Sequence, residues 1–185
     1  MSGYQIVRMR TAYEGWLKLH VATVRNPEGR TSEREIEHHG SAICVLPYNE
    51  ARRTAVLVKQ FRAPVFHAAK QPETLEAIAG LIEEDDPADC VRREAQEEAS
   101  LALDTLEPLF SGWTMPGIST EHMHFFLATY SRAPRTESGG EPDEDVTPVE
   151  LSLSALAAMA DSGELVDVKT LLVLQTLRLR RPDLF

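Results

Sequence analysis

The segment Asp86-Pro-Ala-Asp-Cys-Val-Arg-Arg-Glu-Ala-Gln-Glu-Glu98 constrains this chain more than any other, because its pattern fits one amphipathic helix. Pro87 suits the first helical position, where its missing N–H costs nothing, and Asp86 is a good N-cap before it. Val91, Ala95 and Ala99 recur at four-residue steps, so one stripe is apolar and packs inward. Glu94 and Glu98 share a different face. Two like charges at that spacing weaken a helix by a few tenths of a kcal/mol. A divalent cation between them reverses the sign. Carboxylate pairs completed by substrate phosphates suit Mg²⁺, with Mn²⁺ as the alternative. Arg93 and Glu97, also four apart, can pair and neutralise Glu97. Charge runs usually just face water, so the upstream residues decide. Leu75-Glu-Ala-Ile-Ala-Gly80 reads as a short strand ending in glycine, and a loop from Leu81 to Asp85 carries the chain into the helix.

At 185 residues the chain is expected to form one domain with a small appendage, long enough for a substantial core. Hydrophobic content of 43% and charged content of 26% are those of a soluble globular protein. A net charge of −10 argues against non-specific nucleic-acid binding, which needs basic surface. An anionic substrate would therefore need a metal or local arginines for capture. No N-terminal run resembles a signal peptide and no segment is long enough to span a membrane, so neither nucleic acid nor membrane is expected as a partner. Cys44 and Cys90 lie in apolar patterns without metal spacing, and read as buried thiols of a reducing cytoplasm rather than a disulfide.

Trp16 to Arg25 has strand composition, Asn26-Pro-Glu-Gly-Arg30 is a turn, and Thr31 to Glu37 returns as a second strand. A lone hairpin is marginal in water, so this one must pack on the main domain or on another chain. The chain thus divides into a hairpin region, 1–38, expected to mediate dimerisation, and a main domain, 39–185. Ser41 to Pro47 and Thr54 to Phe61 read as core strands, as do Glu107 to Trp113, His122 to Tyr130 and Val146 to Leu151. Residues 133–145, rich in Pro, Gly, Ser and acids, are the most loop-like segment. Helices are expected over Ser154 to Asp161 and Val168 to Arg180. Strands with scattered helices give a mixed α+β sandwich.

Gly80-x5-Asp86-x6-Arg93-Glu94-Ala95-x-Glu97-Glu98 resembles the box of the Nudix hydrolases, a loop-helix-loop in which glutamates bind Mg²⁺ against a diphosphate. The loop-to-helix spacing is one residue shorter than the commonest form, Asp86 stands where glutamate is usual, and Ser100 replaces the glycine that normally ends the helix. A non-glycine residue in that left-handed position costs about 1 kcal/mol. From Trp16 onwards the order of elements resembles family members that split nucleotide sugars, most closely the subfamily acting on GDP-mannose. Lys59-Gln-Phe-Arg62, Met115-Pro-Gly-Ile-Ser-Thr-Glu121 with His124-Phe-Phe126, Gly139-Gly-Glu-Pro-Asp-Glu-Asp-Val146 and Gly163-Glu-Leu-Val-Asp-Val-Lys-Thr170 occur in the order that subfamily shows. The resemblance implies a Nudix-type mixed β-sheet in an α/β/α sandwich with an N-terminal antiparallel hairpin subdomain.

It also implies roles. Ala79, through its carbonyl, would join Glu94 and Glu98 as metal ligands, with Glu144 completing the shell or activating water. Gly80, Leu81 and Asp143 would line the substrate site. Arg62 would contact a phosphate, or stand as an ordinary surface ion pair. Trp16 would stack on a base or anchor the hairpin. Glu33, Arg34 and Glu35 would reach base or sugar, or alternate outward into water. Glu121 and Lys169 lie where the family contacts the sugar-phosphate half. His122 and His124 lack an obvious third ligand for Zn²⁺ and read as structural. The expected reaction is Mg²⁺-dependent cleavage of GDP-mannose to GMP and mannose 1-phosphate by a homodimer whose hairpin reaches the partner. ADP-ribose is the alternative substrate. A non-catalytic nucleotide sensor of the same fold is disfavoured, since Glu94, Glu97 and Glu98 are all intact.

Overall fold

The computed structural model of the chain describes residues 3–83, 86–132 and 146–185. In order, the elements are β1 (Gln5–Glu14), β2 (Lys18–Arg25), β3 (Thr31–His38), β4 (Ser41–Asn49), β5 (Thr54–Gln60), α1 (Ala63–Ala69), β6 (Thr74–Glu76), β7 (Ile78–Leu81), α2 (Pro87–Ala99), β8 (Leu106–Trp113), β9 (His122–Thr129), β10 (Val146–Ser152), α3 (Leu153–Ser162) and α4 (Val168–Arg180), closed by a 3₁₀ turn at Pro182–Leu184.

One compact unit holds the residues up to Ser41 together with Ser111–Met123. Its expected hairpin is β2 paired antiparallel with β3, from Lys18↔His38 to Arg25↔Thr31. The turn is closed by Asn26, whose side-chain oxygen accepts from the Arg30 N–H at 2.8 Å. β1 adds a third strand to this hairpin, with register breaks between Ile6 and Arg8 and between Thr11 and Tyr13. Sequence reasoning found no strand there. All ten residues are exposed, so no contrast of inner and outer face exists to be read. The segment before β9 joins the end of β3 through Glu37 N–H to Ile118 O, at 2.8 Å, and Thr120 N–H to Glu37 O, at 2.9 Å.

The second unit holds Ala42–Phe110 and the residues from His124 onwards. β4 and β5 pair only at their turn, Tyr48↔Ala55 and Asn49↔Thr54. Beyond it they part: β7 takes the edge of β4, from Ala42↔Leu81 to Val45↔Ile78, and β6 takes that of β5, from Val58↔Glu76 to Gln60↔Thr74. Ala77 is the step between them, so the segment read as a single strand ending at Gly80 is two short strands. The main path of the sheet runs β10-β5-β4-β9-β8.

β4 and β5 are buried on both faces, which requires cover on both. Ile43, Val45, Val56, Val58 and Ile78 form one cluster with Cys90, Val91, Ala95 and Ala99 of α2. The alternate residues Cys44, Leu46 and Leu57 are also fully buried, and Cys44 feels the charges of Asp167 and Lys169 at the start of α4. The expected α+β sandwich is therefore present. α2 starts as expected, with Asp86 Oδ1 accepting from the Ala88 N–H at 2.9 Å. It ends on Ser100 at φ 48° and ψ 39°, where the Leu101 N–H reaches back to Ala95 O at 2.9 Å. α4 has the expected limits, and α1, which buries nothing, gave no apolar stripe to read.

Candidate active site

Glycine at position 80 has a steric reason. A Cβ built there would stand 2.0 Å from Glu94 Oε1 and 2.1 Å from Glu94 Cδ. β7 and α2 thus approach so closely that the Glu94 carboxylate lies on the Gly80 backbone. Cys90 Sγ donates to Leu81 O at 3.4 Å along the same seam. Glu98, one turn on, is 5% exposed. The Ala79–Leu81 backbone and Glu94 are therefore brought together by one helix packed on one short strand, and Glu98 lies one turn further along that helix. Arg93 bonds Glu97 at 2.8 Å, as its spacing implied, and also Glu94 Oε1 at 3.0 Å. Among the described residues no three His, Cys, Asp or Glu side chains form a metal cluster. Two glutamates and a main-chain carbonyl are nevertheless a hard-oxygen donor set, which suits Mg²⁺ or Mn²⁺ once substrate or a further carboxylate completes it.

A second group of charges lies in the same unit. Arg62 Nε and Nη2 fork onto the two Glu76 oxygens, each at 2.9 Å. Lys169 Nζ donates to Glu76 Oε2 and stands 3.1 Å from Asp167. Thr74 Oγ1 donates to Glu76 Oε1 at 2.5 Å. Burial alone would push the Glu76 carboxyl up. The Arg62 hydrogen bonds and the two cations overcome it, and hold the carboxyl at about 2. The bond to Glu76 raises Arg62 in turn, and Glu98 and Asp167 add to that rise. Burial would lower Lys169, but Asp167 and Glu76 outweigh it and raise it. Asp167 also caps α4, accepting from the Thr170 N–H at 3.0 Å, and Thr170 Oγ1 accepts from the Ala77 N–H at 2.6 Å. Burial pushes the Cys44 thiol up, and Cys44 and Cys90 are both buried thiols, as expected.

In the first unit, Trp16 is 83% exposed in the turn before β2, and its ring stands edge-on to His39 at 5.5 Å. His39 Nδ1 lies 3.0 Å from Glu37 Oε1 and its Nε2 lies 3.4 Å from Glu121 Oε1. Thr114 Oγ1 also bonds Glu121. Trp16 and Glu121 therefore meet around one imidazole. Glu33, Arg34 and Glu35 are exposed on β3, and Arg34 Nη1 donates to the Glu33 carbonyl at 2.8 Å. The His122 ring meets Trp113 at 4.8 Å, a packing contact of the structural kind expected. Asp143 and Glu144 lie outside the described residues.

Sequence reasoning missed Glu76, Asp167, Glu37 and His39. Glu76 carried a signal, since it is an acid inside the apolar run Leu75 to Ala79, where only a partnered carboxylate can be buried. Asp167 carried one too, as a helix cap three residues before Thr170. His39 carried none, because its partners come from residue 121 and from its own strand end.

A family model for the NUDIX domain matches residues 37–170. The chain is 36% identical over 180 residues to a GDP-mannose pyrophosphatase of Pectobacterium atrosepticum, covering 94% of this chain and 93% of that one. A protein of the same name from Citrobacter koseri is 36% identical over 157 residues, covering 84% and 82%. One from Yersinia enterocolitica is 34% identical over 175 residues, covering 91% and 92%. Among solved structures, one described as an ADP compounds hydrolase superposes with a TM-score of 0.78 at 15% identity, covering 97% of this chain and 95% of that one. At that identity the likeness shows the fold.

Proposed function

The chain belongs to the NUDIX family, and from that premise we propose that it hydrolyses the diphosphate linkage of a nucleoside diphosphate sugar, GDP-mannose giving GMP and mannose 1-phosphate. The observation that carries this reading is the Glu94 carboxylate seated on Gly80 with the buried Glu98 one turn away. Two like charges held together on one helix weaken it unless a cation sits with them. The Ala79 carbonyl, Glu94 and Glu98 would hold Mg²⁺ or Mn²⁺, which when bound neutralises diphosphate charge and makes a coordinated water a better nucleophile.

The chain's own residues do the rest. Arg62 and Lys169 bind the diphosphate oxygens. Glu144 takes a proton from the attacking water. The oxygen of that water bonds to phosphorus, the bond from that phosphorus to the bridging oxygen breaks, and the bridging oxygen leaves on the other phosphate. Trp16 and Glu121, which meet at His39, serve the nucleoside and sugar, and Arg34 with its neighbours Glu33 and Glu35 supplies polar contacts to base or sugar. GDP-mannose is preferred to ADP-ribose because relatives at 34–36% identity over most of the chain carry that name. The working form is a homodimer joined through the N-terminal strands, whose exposed Ile6, Met9 and Tyr13 favour a partner. Two buried cysteines kept as thiols suit a reducing cytoplasm.

The test is purified protein with Mg²⁺ or Mn²⁺ against GDP-sugars, ADP-ribose, NADH and dinucleoside polyphosphates, with products separated. Highest kcat/KM on GDP-mannose supports the reading. A higher value on ADP-ribose replaces the substrate, and no turnover of any compound overturns the chemistry.

A further inference from the structure

Glu76 is 3% exposed and accepts from Arg62 twice, from Thr74 and from Lys169. That fills the four lone-pair directions of a carboxylate. A buried acid of this kind is costly unless fully partnered, and its partners come from three places: the residue capping α1, β6 itself and the first turn of α4. With Asp167 beside Lys169, two cations face two carboxylates, so the cations are held before any anion arrives.

The bonding also leaves donors over. Among the described residues Arg62 uses Nε and Nη2 on Glu76 while its side chain stays 43% exposed, which keeps Nη1 available. Lys169 has three N–H groups and directs two of them at Glu76 and Asp167.

We propose that Glu76 is the positioning residue of the diphosphate site: it fixes Arg62 and Lys169 side by side, each with a free N–H edge, so that both engage one diphosphate. This rests on the reading above of Arg62 and Lys169 as diphosphate contacts. Glu76 does not touch substrate. Without its charge the two cations repel each other and turn apart, and binding weakens alike in ground and transition states.

The experiment compares wild type, Glu76→Gln, Thr74→Val and Arg62→Ala, each alone, with Arg62→Ala also combined with Glu76→Gln. Each is measured for GDP affinity by calorimetry, for KM and kcat on GDP-mannose, and for thermal stability. In Glu76→Gln the GDP Kd and the KM are expected to rise together by about tenfold or more, with kcat changed less than about threefold, as loss of uniform binding requires. Arg62→Ala then adds little in the Glu76→Gln background, whereas it costs its full effect in wild type. Thr74→Val, which removes one orienting bond and keeps the shape, is expected to raise KM by about threefold in the same direction. Should Glu76→Gln fail to fold, Thr74→Val decides. Unchanged KM and Kd in the folded variants, or undiminished Arg62→Ala effects, overturn the proposal. A wild type that binds no GDP and turns over no nucleotide sugar overturns the reading of the site itself.

Discussion

Gly80→Ala separates the site from the scaffold most cleanly. The new methyl would stand 2.0 Å from Glu94 Oε1, where ordinary contact begins at 3.4 Å, so the carboxylate must retreat by about 1.4 Å. The obstructing atoms are the far end of a flexible side chain, so the backbone need not move. Gly80 lies outside the left-handed region, so alanine fits its φ. The lost freedom of the unfolded chain then favours folding by about 0.4–1 kcal/mol. Against that stands the weakened Arg93–Glu94 pair, half-exposed on the arginine side and worth about 0.5 kcal/mol. The net is within about 1 kcal/mol, or about 2–4 °C in Tm for a chain of this size. The chemistry has no such tolerance: a ligand displaced by more than 1 Å costs about a hundredfold in rate. Steady-state kinetics across a Mg²⁺ titration, beside calorimetric melting, should therefore show kcat/KM down about a hundredfold, a higher half-saturating Mg²⁺ concentration and an almost unchanged Tm. Wild-type kinetics in Gly80→Ala would refute the placement of Glu94. A collapse of Tm would show that the contact supports the fold instead.

Glu98→Gln is expected to lose at least about a hundredfold in kcat while its Tm holds or rises, since the repulsion with Glu94 is relieved; full activity at saturating Mg²⁺ would remove the metal assignment. Glu144→Gln should lower kcat far more than KM, and Glu141→Gln should do little; both positions lie outside the described residues, and a larger kcat loss in Glu121→Gln would move the role of base to Glu121. Ser100→Gly relieves the left-handed residue after α2 and should stabilise by about 0.5–1 kcal/mol in urea melts, with no gain if the cap is unstrained. Glu76 is held near 2 against a usual 4.5, so the folded state binds fewer protons than the unfolded one between those values. Its stabilisation is complete above pH 4.5 and is lost as pH falls towards 2; Glu76→Gln should flatten the stability–pH curve across that window, and an equal slope would contradict the network.

The helix that carries the glutamates was legible because local rules agree there: a cap at Asp86, proline at the first position, an apolar stripe and a charged face. The core strands were legible from composition, and α4 from its limits. β1 was hidden because an exposed strand has no buried face, and α1 because it buries nothing. At the site, sequence gave the two residues on one helix face, whose spacing is local. The close approach of Glu94 to Gly80, the fork of Arg62 on Glu76 and the place of His39 between Glu37 and Glu121 depend on pairings that no local window contains.

The most direct test is to follow GDP-mannose and enzyme by phosphorus NMR, with Mg²⁺ present and then removed by chelation. Cleavage within the diphosphate yields two phosphomonoester signals in equal amounts, those of GMP and mannose 1-phosphate, and chelation stops their growth. Appearance of GDP with free mannose would mean that the bond to the sugar breaks instead, and persistence of the diphosphate signals would mean no hydrolysis; either contradicts the account.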